Sequence, residues 1–271
     1  MIIGKEREKV IENIRRAARE GGFHKKVEVG DPVLTEGQKE ALIKKYLQKK
    51  RTVRFWVKNR LAGKLICAAT KKINRETVIT GFENISQIKG GAIITSNHFS
   101  PLDNTAVRTL AWRMGKKKLC IVSQETNLAM SGIIGFLMNY ADILPISNNS
   151  AYMSRRFEPL LKKELDKESV VLIYPEQEMY AAKFGVPVIS CFVEMKVLKE
   201  MDTREFHKVN YVVHVLPAIY PDGKKSVREN SLDMCLQDYE QKKNAYETAY
   251  GKALDYEFEE GDIAGWVPGG F

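Results

Sequence analysis

His98 and Asp103 are the residues whose types and spacing best fit a chemical role. They sit in residues 90–104, GGAIITSNHFSPLDN. A run of small and apolar residues leads into Asn97-His98, so His98 falls just past the carboxyl end of an expected strand, where α/β sheets place ligands. Ser100 then offers an N-cap, Pro101 fits the first helical position, where its missing N–H costs nothing, and Asp103 falls at the third. From there the carboxylate can fold back onto the imidazole. A histidine held by a carboxylate is what a general base needs: the carboxylate fixes the tautomer and stabilises the imidazolium that forms. The helix N-terminus adds backbone N–H groups and a positive dipole end for a developing oxyanion or a phosphate. Spacing alone leaves a plainer reading open. Ser100-x-x-Asp103 also fits a capping box, with His98 merely bonding a turn.

The elements around this pair alternate. Strands are expected at 78–85, 91–96, 118–123, 143–146, 170–174, 186–192 and 211–219, and helices at 101–114, 128–138, 152–165 and 226–256. That order predicts an α/β fold, a central mixed sheet flanked by helices. Before it, residues 1–75 read as helical and basic, with Thr35 an N-cap and Gln38 its capping-box partner. The division expected is therefore 1–75 and 76–271.

Within the first part, residues 54–72, RFWVKNRLAGKLICAATKK, form a basic helix. Phe55, Leu61, Leu65, Ile66 and Ala69 share a broad stripe, with Trp56, Arg60 and Lys64 opposite. A basic helix carrying Trp and Phe suits a membrane interface, and a surface helix with solvated lysines fits the same pattern.

The 271 residues carry 43 Lys and Arg against 34 Asp and Glu, a net charge of +9. The excess favours anionic partners: lipid headgroups, acidic carrier proteins or nucleic acid. No nucleic-acid signature accompanies it, and the basic residues are spread along the chain. Four separated cysteines and four histidines have no zinc-type spacing, so no metal is expected. Scattered thiols suit a reducing cytoplasm. The charged start, MIIGKEREKV, lacks the apolar core of a signal peptide. The most apolar stretch, 128–146, is broken by Ser131, Asn139, Asp142 and Pro145, short of the roughly 20 apolar residues of a spanning helix.

NHFSPLD is an H-x4-D block preceded by Asn, and it resembles the glycerolipid acyltransferases, such as 1-acylglycerol-3-phosphate acyltransferases. The resemblance covers roughly residues 75–222. Three further blocks follow in the family's order: GIIGFLMNYADILPISN at 132–148, VLIYPEQEM at 171–179 in place of F-P-E-G-T, and Val186-Pro187-Val188. It implies an O-acyltransferase that moves a fatty acyl chain from acyl-carrier protein or acyl-CoA to a hydroxyl of a lyso-lipid. 1-Acylglycerol-3-phosphate is the default acceptor and phosphatidic acid the product. His98 would be the general base and Asp103 its orienting partner. Asn97, Ser100, Pro175, Glu176 and Gln177 would contact the acceptor. No cofactor beyond the acyl co-substrate is implied, and the expected place is the cytoplasmic face of a membrane, bound peripherally. The small-and-apolar stretch around Gly132, Gly135 and Phe136 would shape an acyl tunnel, although an ordinary core helix is the favoured reading of it.

The sequence departs from the family at its phosphate contacts. Pro145-Ile146-Ser147-Asn148 lacks the Arg of the second block, and Glu176-Gln177-Glu178-Met179 lacks that of the third. Glu178 also brings a negative charge where a phosphate would be repelled. A lyso-lipid with an amino, sugar or zwitterionic head is therefore an alternative acceptor. The helix between the third and fourth blocks is unusually short. Two other readings remain: a lipid or thioester hydrolase, disfavoured because no G-x-S-x-G elbow exists, and an inactive lipid-binding relative, disfavoured by the retention of both His98 and Asp103.

Overall fold

The computed structural model describes residues 7–22, 27, 29, 32–99, 102–174, 178–255 and 257–267. Three helices come first: α1 (Arg7–Arg19), α2 (Glu36–Lys49) and α3 (Val53–Ile73). Thr35 and Gln38 close the expected capping box on α2. The rest alternates β1 (Val78–Thr80), β2 (Ala92–Ser96), α4 (Asn104–Arg113), β3 (Leu119–Gln124), α5 (Gly132–Tyr140), β4 (Ile143–Ile146), α6 (Ser150–Tyr152), α7 (Glu158–Leu165), β5 (Val170–Leu172), α8 (Glu178–Phe184), β6 (Val188–Met201), β7 (His207–Val215) and α9 (Val227–Tyr250). A π-helical turn, Met153–Phe157, joins α6 to α7.

The seven strands form one sheet in the order β1-β7-β6-β2-β5-β3-β4. From β6 to β4 all neighbours are parallel, while β7 runs antiparallel to β6 and β1 parallel to β7. The mixed α/β sheet is thus as expected. Alternation along the strands sorts the core into two layers. Ala92 and Ile94 of β2, with Leu119, Ile121, Val170 and Leu172, face α4. Ile93, Cys120, Val122, Val171 and Ile173 face α7, α8 and α9.

Several boundaries differ from the sequence reading. The strand expected at 78–85 stops at Thr80, because Gly81 turns left-handed (φ 69°) into a 3-10 turn, Phe82–Ile85. β6 runs on to Met201, since β7 pairs with it from Cys191 to Val197 and again at Met201. The long last helix ends at Tyr250, where Gly251 (φ 66°) supplies the left-handed cap. α8 runs unbroken across Met179 and Tyr180, so the short helix between the third and fourth blocks is a feature of the chain.

α2 and α3 share the core of the α/β unit. Tyr46 Oη donates to the Ile143 carbonyl at 2.7 Å, and Asn59 Nδ2 donates to that of Tyr140 at 2.6 Å. Phe55 is buried against Tyr46 and Tyr140. This divides the apolar stripe expected on α3. Phe55 packs inward, Ile66 is half-buried, and Leu61, Leu65 and Ala69 are exposed. Trp56, Val57, Leu61 and Leu65, all at least 40% exposed, share the outward side with Arg60 and Lys64. Among the described residues no helix is long and apolar enough to cross a membrane.

Candidate active site

β2 and β5 are neighbours, paired Ile94 to Leu172, and their parallel ends deliver His98 and Tyr174 to one place. α4 begins just beyond and supplies Asp103. His98 Nδ1 lies 2.5 Å from Asp103 Oδ2. A carboxylate only accepts, so Nδ1 carries the proton and Nε2 is the basic nitrogen. The Phe99 amide donates to the same oxygen at 3.1 Å. The other oxygen, Oδ1, accepts from Tyr174 Oη at 2.5 Å. Asp103 is 1% exposed, and a carboxylate so placed needs its oxygens satisfied. The His98 side chain is 56% exposed, so the base faces outward from a buried support.

Asp103 is therefore not a capping residue. It occupies the N-cap position of α4, one residue before the helix, and its side chain makes no cap bond. The helix begins at Asn104 rather than Pro101, which frees the carboxylate to turn toward His98. The plainer reading of Ser100-x-x-Asp103 as a capping box turns on Ser100. Ser100 itself lies outside the described residues, as do Pro101 and the acceptor candidates Pro175, Glu176 and Gln177.

Tyr174 was not singled out from the sequence. It stands where the resembled block has Phe, and a ring at a strand end reads as core. Its ring does pack on the imidazole, with centroids 4.2 Å apart at 34°. Its hydroxyl is the added feature. Burial first, then the Asp103 charge and hydrogen bond, push its pKa well above the ordinary tyrosine value, so it stays a donor. The only sequence signal was the Tyr-for-Phe exchange itself.

Asn97, expected to touch the acceptor, bonds the neighbouring strand. Its Nδ2 donates to the Val193 carbonyl at 3.0 Å and its Oδ1 accepts from the Val193 amide at 2.8 Å. The side chain continues the β2–β6 ladder by one step and fixes the backbone just before His98.

Glu178 corrects a second expectation. It is 2% exposed and turned toward Asp238 and Lys242 of α9, so it presents no negative charge to an acceptor. Met179, in the position of the missing Arg, is 45% exposed. His214 is a satisfied strand residue, with Nε2 2.8 Å from Glu194 and Nδ1 3.3 Å from Thr80.

After β3, on the same carboxyl edge of the sheet as His98, α2 and α5 enclose a cleft of about 330 Å³. Leu42, Tyr46, Leu128, Met130 and Phe136 give it an apolar lining, with Lys45 and Lys49 on α2. Gly135 lets α5 approach closely: a Cβ there would lie 1.9 Å from the Met130 carbonyl oxygen.

The sequence model of the Acyltransferase family matches residues 76–194, the segment that holds His98, Asp103 and Tyr174. No curated protein matches. One solved structure that the chain resembles is the 1-acyl-sn-glycerophosphate (LPA) acyltransferase PlsC from Thermotoga maritima, 14% identical, with a TM-score of 0.46 over 92% of this chain and 98% of that one. The family match is thus to a segment of the chain, residues 76–194, rather than to its whole length.

Proposed function

We propose that this O-acyltransferase moves a fatty acyl chain from an acyl-carrier protein or CoA thioester to a hydroxyl of a lyso-lipid. The observation that carries the reading is the 2.5 Å contact of His98 Nδ1 with buried Asp103, which leaves an outward-facing imidazole as base. His98 Nε2 takes the proton of the acceptor hydroxyl as its oxygen attacks the thioester carbonyl. The tetrahedral intermediate collapses, the C–S bond breaks, and the thiolate recovers the proton from the imidazolium. No acyl-enzyme is formed. The N-terminus of α4 lies beside the reacting carbonyl and favours the developing oxyanion.

The cleft between α2 and α5 is the proposed seat of an acyl chain. The outward side of α3, with Trp56, Val57, Leu61 and Leu65 among Arg60 and Lys64, is the proposed contact with an anionic membrane surface. The proposed location is peripheral, on the cytoplasmic face of a membrane. Asn97 supports this site from the strand, and Ser100, Pro175, Glu176 and Gln177 would meet the acceptor.

1-Acylglycerol-3-phosphate is the default acceptor. The absence of Arg from residues 145–148 and at Met179 keeps a second reading, a lyso-lipid without a phosphomonoester head. Buried Glu178 no longer argues against phosphate. The test is acyl transfer to lysophosphatidic acid against lysophospholipids with amino, sugar and zwitterionic heads. A kcat/KM at least about 10-fold higher for lysophosphatidic acid establishes the default. The reverse preference establishes the second reading.

A further inference from the structure

The strand register sets three residues on one level of the sheet's carboxyl edge. Ile94, Leu172, Ile121 and Ile143 pair in series across β2, β5, β3 and β4. Four residues beyond that line stand His98 after β2, Glu125 after β3 and Ser147 after β4. Glu125 and Ser147 follow adjacent strands, while His98 and Glu125 are separated by two strand spacings, about 10 Å. A lyso-lipid spans that length between its glycerol hydroxyl and the end of a headgroup such as phosphoethanolamine.

Glu125 is 5% exposed. A carboxylate so buried ordinarily has a cation or several donors. Asp103 has His98, Tyr174 and the Phe99 amide, and Asp238 has Lys242 and Thr95. Among the described residues, Glu125 accepts one long bond, from Ser147 Oγ at 3.5 Å, and no ion pair reaches it. Lys39 of α2 feels its charge but gives its own ammonium to Glu36 at 2.6 Å. Thr126, the next residue, keeps its Oγ1 buried without a partner. Two neighbouring acceptors are therefore short of donors, at the level of the catalytic histidine.

We infer that Glu125 binds the headgroup of the acceptor and takes a primary ammonium there, so that the acceptor is a lyso-lipid with an amino head. The inference rests on the acyltransferase reading and deepens its second choice of acceptor. An ammonium brings three donors and a positive charge. Glu125 supplies the opposite charge in a water-poor setting, where a charge-assisted bond is strong, and Thr126 Oγ1 supplies a further acceptor. A phosphomonoester carries a charge of about −1.5 to −2. It would meet Glu125 with like charge, and residues 145–148 hold no Arg to offset the repulsion. With the ammonium anchored at Glu125, the glycerol hydroxyl comes to His98 Nε2, two strands away.

The experiment measures kcat/KM for the native protein, Glu125→Gln and, as a control, His98→Ala. Three acceptors share one acyl chain: lysophosphatidylethanolamine, its analogue with a hydroxyl in place of the ammonium, and lysophosphatidic acid. The native protein should use the amine at least about 10-fold better than either of the others, the worth of a hydrogen bond to a charged group. Glu125→Gln is near-isosteric and should cut the ratio of amine to hydroxyl acceptor by at least about 10-fold. A native protein that favours lysophosphatidic acid or does not distinguish amine from hydroxyl, or a ratio that Glu125→Gln leaves as it was, overturns the inference. Should Glu125→Gln fail to fold, the native ratio of amine to hydroxyl acceptor decides. Transfer that survives in His98→Ala would instead remove the acyltransferase reading on which the inference stands.

Discussion

The hydroxyl of Tyr174 holds one oxygen of Asp103 at 2.5 Å while the imidazole of His98 holds the other at the same distance. The Tyr174 ring also lies against the imidazole. One side chain therefore supports both members of the pair, and the carboxylate cannot rotate away from His98 without breaking a bond to Tyr174.

Tyr174→Phe keeps the ring and removes the donor. Hydrogen bonds to charged groups contribute about 1.5–3 kcal/mol, only part of which is specific to the transition state. A fall in kcat of about 10-fold is expected, with acceptor KM nearly unchanged. Steady-state kinetics checks this. An unchanged kcat would mean that His98 and the Phe99 amide suffice to hold Asp103.

Asp103→Asn presents an amide that can donate to Nδ1 and so favours the wrong tautomer of His98. Loss of about 10²–10⁴-fold in kcat is expected. The double variant with His98→Ala should be no worse than His98→Ala alone, because the two act as a unit. Additive losses would separate their roles.

Asn97→Ala removes the partner of both backbone groups of Val193. About 2 kcal/mol of stability should be lost, read as a lower denaturant midpoint at constant slope. A change in acceptor KM with stability intact would instead assign Asn97 the acceptor contact that the sequence suggested.

Trp56, Leu61 and Leu65 replaced together by Ser should weaken binding to anionic vesicles by at least about 10-fold, since burying each such side chain is worth about 1.5–3 kcal/mol. Sedimentation with vesicles measures it. Residual native binding should fall as salt rises, because Arg60 and Lys64 contribute through charge. Unchanged sedimentation would assign α3 to another partner.

The Glu178 carboxyl also makes stability depend on pH. Its folded pKa is raised above the unfolded one, so the unfolded chain holds fewer protons and stability falls as pH rises. The contribution is complete below the ordinary value of 4.5 and is lost as pH climbs through the folded pKa. Relative to Glu178→Gln, the native melting temperature should therefore drop progressively with increasing pH. Parallel curves for the two proteins would exclude the effect.

The sequence was most legible where chemistry is local. His98 and Asp103 are five residues apart at a strand-to-helix junction, so the spacing itself allows their meeting. The alternation of strands and helices also carried, since β2, β4 and α4 lie within the segments read as strand, strand and helix. Long-range choices were hidden. Tyr174 reaches Asp103 across 71 residues because β2 and β5 happen to be neighbours. Glu178 turns inward only because α9 places Asp238 and Lys242 there, 60 and more residues later. The stripe on α3 misled because α2 and α5 claim Phe55 and leave Leu61 outside, a choice that periodicity on a single helix does not determine.

The most direct test is acyl transfer from labelled acyl-carrier protein and acyl-CoA to lysophosphatidic acid and other lyso-lipids, with native protein and His98→Ala side by side. The account predicts acceptor-dependent transfer with little free fatty acid, reduced about 10²–10⁴-fold or more in the variant. Transfer untouched by the substitution, or none to any acceptor, would contradict it.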